Sequence, residues 1–267
     1  MDTVVSPGLR FERVTGTIGA IVHGVELDQP VGARIPDCLR RALRDFGVLF
    51  FEFDHFISAG EFLTFARLFG EPEEKYKLTV ASGDAPYIDS ALTPMKEFRV
   101  NCWHTDGTAL ECPPQSAMLT PVELPEAGGD TMWASMDAAW QGLSPHYQGL
   151  LEGLDVLHST ARLPFLREPT TAVHPAVIRD PVTGRRMLFV NSNYTERILG
   201  VSDRESEALL RMLFEHVNTP EFHVRLRWRP GVIAVWDERA TQHRGVADFA
   251  GPRKLRRLTF PGDRPER

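Results

Sequence analysis

The sequence predicts a mainly β fold, a β-sandwich or jelly roll with flanking helices, and three observations carry that prediction. Short apolar runs of strand length recur along the chain. The stretch from about Arg99 to Trp133 is cut into short β-prone pieces by Pro113-Pro114, Pro121, Pro125 and Gly128-Gly129. Two segments, by contrast, open with a helix-starting capping box.

Taken in order, Gly47-Val-Leu-Phe-Phe51 has the continuous apolar character of a buried strand, and Ser58-Ala-Gly-Glu61 is a capping box ahead of Phe62, Phe65 and Phe69. A strand followed by a helix is expected there. Ser202-Asp-Arg-Glu205 is the second box; Leu209, Leu210, Leu213 and Phe214 recur behind it at helical spacing, with Glu207 and Arg211 four residues apart. That predicts a helix from about Asp203 to Val217. Phe222, Val224, Leu226 and Trp228 then alternate with His223, Arg225 and Arg227, the period-two pattern of a half-buried strand. Pro230-Gly231 turns the chain into a further strand over Val232 to Trp236.

With 267 residues, 42% of them hydrophobic, the chain can bury a substantial core. It shows no internal repeat and no low-complexity linker, so one domain over residues 1–267 is expected. No apolar run reaches membrane-span length, and Met1 to Arg10 lacks the apolar stretch of a signal peptide; a cytoplasmic protein away from membranes is expected. The net charge of -6 argues against nucleic acid as a partner. Cys38, Cys102 and Cys112 have no C-x-x-C spacing, which argues against a disulfide framework or a zinc ribbon. A small molecule is the expected partner, and self-association stays open. Between Arg225 and Arg267 basic residues outnumber acidic ones, a local excess that suits an anionic ligand or a solvated basic tail.

The chemistry starts at Trp103-His104-Thr105-Asp106. Residues two apart on a strand share a face, so His104 and Asp106 can aim an imidazole and a carboxylate at one point, two parts of the 2-His-1-carboxylate triad of non-haem iron(II). Such a pair also arises by chance, so a third ligand is needed. His243, just past the Val232 to Trp236 strand, is the best placed candidate. Iron held by three protein groups keeps positions open for a chelating α-keto acid and for dioxygen. The far carboxylate of such an acid needs a fixed cation, and the planar fork of Arg253 suits it.

Four segments together resemble the taurine dioxygenase and phenoxyacetate dioxygenase family of iron(II) and 2-oxoglutarate dependent oxygenases. They are Ile18 to Leu27, Phe69-Gly70, Trp103 to Trp133 with its Pro113-Pro114 and Gly128-Gly129, and Trp236 to Asp263. The resemblance implies a double-stranded β-helix, with His104, Asp106 and His243 as iron(II) ligands. It assigns Thr131 and Arg253 to the far carboxylate of the cosubstrate 2-oxoglutarate. The implied reaction consumes O2 and 2-oxoglutarate, releases succinate and CO2, and oxidises a C-H bond of a small anionic substrate: a sulfonate, sulfate ester, aryloxy acid or amino-acid derivative. Hydroxylation is the usual outcome, and desaturation is equally open. Arg257 matches a position that often meets an anionic substrate group; its even spacing from Arg253 turns both inward on an extended segment, and the alternative is that Arg257 pairs internally with an acidic side chain. Lys75 falls near the place where the taurine enzymes carry a sulfonate-binding histidine, within a charged surface loop.

Three departures from the family stand out: Glu238 where Asn is usual, a shortened stretch between Ser159 and His174, and one residue fewer between His243 and Arg253. Two other classes use similar parts. One is a jelly-roll protein that binds a small anion without turnover; the other is a zinc or manganese isomerase or hydrolase on the same triad.

Overall fold

The computed structural model describes residues 8–27, 32, 34–73, 86–92, 101–162 and 168–267. From the N-terminal side run β1 (Arg10–Arg13), β2 (Ala20–His23), α1 (Ile35–Phe46), β3 (Val48–Glu52), α2 (Ala59–Ala66) and β4 (Ile88–Leu92). The middle supplies β5 (Ser116–Glu123), β6 (Thr131–Ser135), α3 (Met136–Gln141), α4 (Pro145–Leu151), β7 (Asp155–Ser159), β8 (Thr171–Pro175), β9 (Val177–Arg179), β10 (Arg186–Leu188) and β11 (Thr195–Ile198). The last part is α5 (Asp203–Val217), β12 (His223–Leu226), β13 (Val232–Asp237), β14 (Thr241–Gly245) and β15 (Arg253–Phe260).

Two sheets form the jelly-roll core. The large one has the order β1-β2-β3-β13-β5-β15-β4, and the small one β12-β6-β14. Val48, Phe50, Ala117, Leu119, Ala234, Trp236 and Leu255 point from the large sheet into the space between them, against Trp133 and Val224 of the small sheet. Trp133 meets Phe50 at 5.6 Å and Trp236 at 5.7 Å between ring centroids. The alternate residues Leu49, Phe51, Met118, Ile233, Val235 and Leu258 face the other way, onto Leu39 and Leu43 of α1 and Phe62 and Phe65 of α2. Both faces of β3 and β13 are therefore covered, which is why these strands read as unbroken apolar runs rather than alternating ones. Each large side chain so buried contributes about 1.5–3 kcal/mol.

Both expected helices form with complete capping boxes, Ser58 with Glu61 and Ser202 with Glu205. Leu210, Leu213 and Val217 of α5 bury against a separate core with Val156, Ile178 and Leu188. β12 is shorter than the alternating pattern suggests: Phe222 lies in a 3-10 turn begun by Pro220, and Trp228 lies beyond the strand but stays buried. Among the described residues, no helix is long and apolar enough to cross a membrane.

Candidate metal centre

The site is built on the edge of the small sheet. β14 pairs with β6 so that His243 lies opposite Trp133, and its other edge takes a single bridge from His104. The His104 N–H donates to the His243 carbonyl at 3.1 Å, and the His243 N–H donates to the His104 carbonyl at 2.8 Å. The expectation that His104 and Asp106 share a strand is corrected here. Pairing ends at His104, and a turn begins at Asp106 and continues through Gly107 at φ 68°. The Thr105 hydroxyl donates to the Thr241 carbonyl at 2.8 Å, and the Asp106 N–H donates to Glu238 Oε2 at 3.2 Å. A bridge and a pinned turn, not strand alternation, bring the imidazole and the carboxylate together.

His104 Nε2 stands 3.7 Å from Asp106 Oδ1, and His243 Nε2 stands 3.4 Å from Asp106 Oδ2. One ligand atom from each of the three buried residues lies within 4.8 Å of the others. His104 Nδ1 is 2.8 Å from the Cys102 carbonyl; a carbonyl only accepts, so Nδ1 carries the proton and the Nε2 lone pair faces the shared centre. Burial, then the nearby His243, pulls His104 down to about 4, which keeps its imidazole neutral. Burial pushes the Asp106 carboxyl up, but Arg257 and then His243 outweigh it and hold it well below the usual carboxylate range. Two imidazole nitrogens and one carboxylate are a donor set suited to a divalent transition metal.

The inward alternation of β15 is as expected: Leu255 lies between the sheets, Leu258 and Phe260 lie on the helical side, and Arg253 and Arg257 share the face of Leu255. Arg257 reaches the metal donors, where its Nη2 makes a close ion pair with Asp106 Oδ2 and stands 3.7 Å from Glu238 Oε1. Glu238 has no exposed surface. Burial first, and the Asp106 charge second, raise its carboxyl above the ordinary range.

Thr131 and Arg253 meet further along the same interior. Thr131 lies two residues along β6 from the position opposite His243, about 7 Å at the usual strand rise. Arg253, only 3% exposed, donates from Nε to the Gly129 carbonyl at 2.7 Å and from Nη2 to Thr131 Oγ1 at 3.4 Å. Gly129 is required for this approach: its φ is 72°, and a Cβ there would stand 2.8 Å from Arg253 Cδ. Arg253 opens β15, after residues 246–252 that follow β14, and from there it reaches Thr131. Lys75 and residues 163–167 of the shortened stretch lie outside the described residues.

Four further contacts brace this end of the site, and none of them is marked by a local sequence signal. The Trp228 indole N–H donates to Thr131 Oγ1 at 2.9 Å. Asp248 Oδ1 accepts the Gly129 N–H at 2.9 Å, while Arg225 bonds both Asp130 and Asp248. Trp228 carried a signal only as an apolar member of an alternating strand. A cavity of about 650 Å³ lined by Trp103, Gln242 and Arg244 contains none of the candidate site residues.

The model of the family described as "Taurine catabolism dioxygenase TauD, TfdA family" matches residues 10–259. An alkylsulfatase of Acinetobacter baylyi is 31% identical over 96% of this chain and 86% of its own length. An alpha-ketoglutarate-dependent sulfate ester dioxygenase of Pseudomonas putida is 34% identical over 94% of this chain and 89% of its own. The crystal structure of a taurine dioxygenase from Burkholderia xenovorans aligns with a TM-score of 0.85 at 34% identity, covering 97% of this chain and 91% of that one.

Proposed function

Because the chain belongs to the taurine catabolism dioxygenase family, we propose that it is a 2-oxoglutarate dependent dioxygenase holding iron(II) on His104, Asp106 and His243. The convergence of His104 Nε2, His243 Nε2 and the Asp106 carboxylate, with the His104 Nδ1 proton turned outward to Cys102, carries this reading. Iron(II) bound there, with 2-oxoglutarate and O2, supplies the oxidising power for C-H bond cleavage, with release of succinate and CO2.

The chain's own residues do the positioning. Arg253 and the Thr131 hydroxyl take the far carboxylate of 2-oxoglutarate, and the fork of Arg253 fixes its direction along the barrel. Trp228 holds the Thr131 hydroxyl from behind, so that its proton is free to be donated to the carboxylate. The apolar wall of Trp133, Trp236 and Leu255 keeps this end of the site dry, which strengthens the ionic contact. The match over residues 10–259 supports reading the chain as one domain.

The substrate is a small anion, with a sulfate ester or sulfonate the leading class; the activities for which the relatives are named support this. Arg257 is the candidate for its charged group. Hydroxylation of a carbon bearing a sulfate ester or sulfonate would let the product collapse and release the group. A cytoplasmic location suits an enzyme that draws on 2-oxoglutarate. The test is succinate release by the purified protein under air, with and without iron(II), against alkyl sulfates, sulfonates, aryloxy acids and amino-acid derivatives. Iron-dependent release stimulated by one class supports the reading. Turnover of a substrate without succinate would favour a metal-dependent isomerase or hydrolase, and binding without turnover a non-catalytic binding protein.

A further inference from the structure

Behind the metal donors stands a carboxylate with no exposed surface. Glu238 opens the turn from β13 to β14, and that turn is held firmly. Asp237 Oδ1 accepts the N–H groups of Arg239 and Ala240 at 2.9 and 3.0 Å, and the Thr241 hydroxyl donates to the Asp237 carbonyl at 2.7 Å. The Glu238 N–H donates to the Gln115 carbonyl at 3.0 Å. A buried carboxylate costs several kcal/mol in lost hydration unless its oxygens are engaged. Three groups surround this one: the Asp106 N–H at 3.2 Å and His243 Nδ1 at 3.8 Å face Oε2, and Arg257 Nη2 faces Oε1 at 3.7 Å.

We propose that Glu238 is a positioning residue for the metal centre, accepting the Nδ1 proton of His243 so that Nε2 faces the metal, while the same carboxylate fixes the Asp106 peptide and the Arg257 guanidinium. This rests on the metal reading above. His243 and His104 then differ in kind. The Nδ1 of His104 is held by a neutral carbonyl, whereas that of His243 faces a carboxylate, which orients the ring and makes it a stronger donor. The 3.8 Å separation becomes a hydrogen bond through a side-chain adjustment of about 1 Å. One turn residue thereby couples two metal donors to the arginine assigned to the substrate.

The test uses the full chain loaded with zinc(II), a diamagnetic ion that the same donors bind. In the unsubstituted protein, long-range proton–nitrogen NMR should show His243 protonated at Nδ1 and metal-bound at Nε2. Metal on Nδ1, or a proton on Nε2, overturns the proposal. In a competition titration, Glu238→Gln, which keeps the shape and replaces one acceptor oxygen by an amide nitrogen, should bind zinc(II) about 10–100-fold more weakly with an unchanged circular dichroism spectrum. Affinity within twofold of the parent overturns it, and should the variant not fold, the NMR measurement decides. Asp106→Ala in the same titration separates two failures. If it also keeps the parental affinity, the metal reading falls and the proposal with it; if it alone loses zinc(II), only the role of Glu238 falls.

Discussion

The rings of His104 and His243 lie with their centroids 4.3 Å apart because the two residues form an antiparallel bridge, each peptide N–H donating to the other's carbonyl. The bridge is a backbone device. The imidazoles inherit their spacing from it, so a change in either side chain leaves the scaffold of the site in place.

Arg253→Lys keeps a positive charge near Thr131 but loses the planar fork. The loss of one charge-assisted hydrogen bond, about 1.5–3 kcal/mol, should raise the half-saturating 2-oxoglutarate concentration about 10–150-fold and leave metal affinity unchanged. Titration of succinate formation against 2-oxoglutarate, beside a metal titration, checks both halves.

Gly129→Ala places a Cβ 2.8 Å from Arg253 Cδ at a φ of 72°. Left-handed backbone strain alone costs about 1–2 kcal/mol, and displacement of Arg253 adds to it. Denaturant unfolding should show a loss of at least about 1 kcal/mol, together with a higher 2-oxoglutarate requirement.

Arg257→Gln removes the cation beside Asp106 and Glu238. If Arg257 receives the substrate anion, succinate formation driven by substrate should fall far more than the slow consumption of 2-oxoglutarate without it. Equal losses in the two reactions would assign Arg257 to Asp106 and Glu238 alone.

His158 is buried on β7 beside His174, their ring centroids 5.5 Å apart, and burial first, then His174, lowers it to about 3. The native state holds it neutral, so its contribution to stability is complete above its unfolded value near 6.5 and is lost as pH falls from there toward about 3. Within that window it should contribute a slope of up to about 1.4 kcal/mol per pH unit. Denaturant unfolding of the parent and His158→Leu at pH 7, 6, 5 and 4 should show a shallower fall in the variant.

The parts legible in the sequence were those written locally. Each capping box lies within four residues, so α2 and α5 were readable, and burial on both faces marked β3 and β13 as apolar runs. The four-segment resemblance brought Thr131 and Arg253 together, and the structure places them in contact. Helix α1 carries no such local mark, because its N-cap, Arg34, makes no side-chain bond, although Ile35, Leu39 and Leu43 recur at helical spacing. The bridge at His104, the Trp228 contact to Thr131 and the three neighbours of Glu238 are all pairings between distant segments. Glu238 was visible as an unusual residue, but nothing nearby in the sequence shows that its carboxylate lies under His243 and Asp106.

The most direct measurement is succinate formed from 2-oxoglutarate under air by the parent and by Asp106→Ala, each with and without added iron(II). Asp106 is the anionic member of the donor set, and its removal leaves two imidazoles that hold iron(II) poorly by themselves. The expected result is iron-dependent succinate from the parent and none above background from a folded Asp106→Ala. Equal succinate from both proteins, or succinate from the parent that does not respond to iron(II), would contradict the assignment of the site.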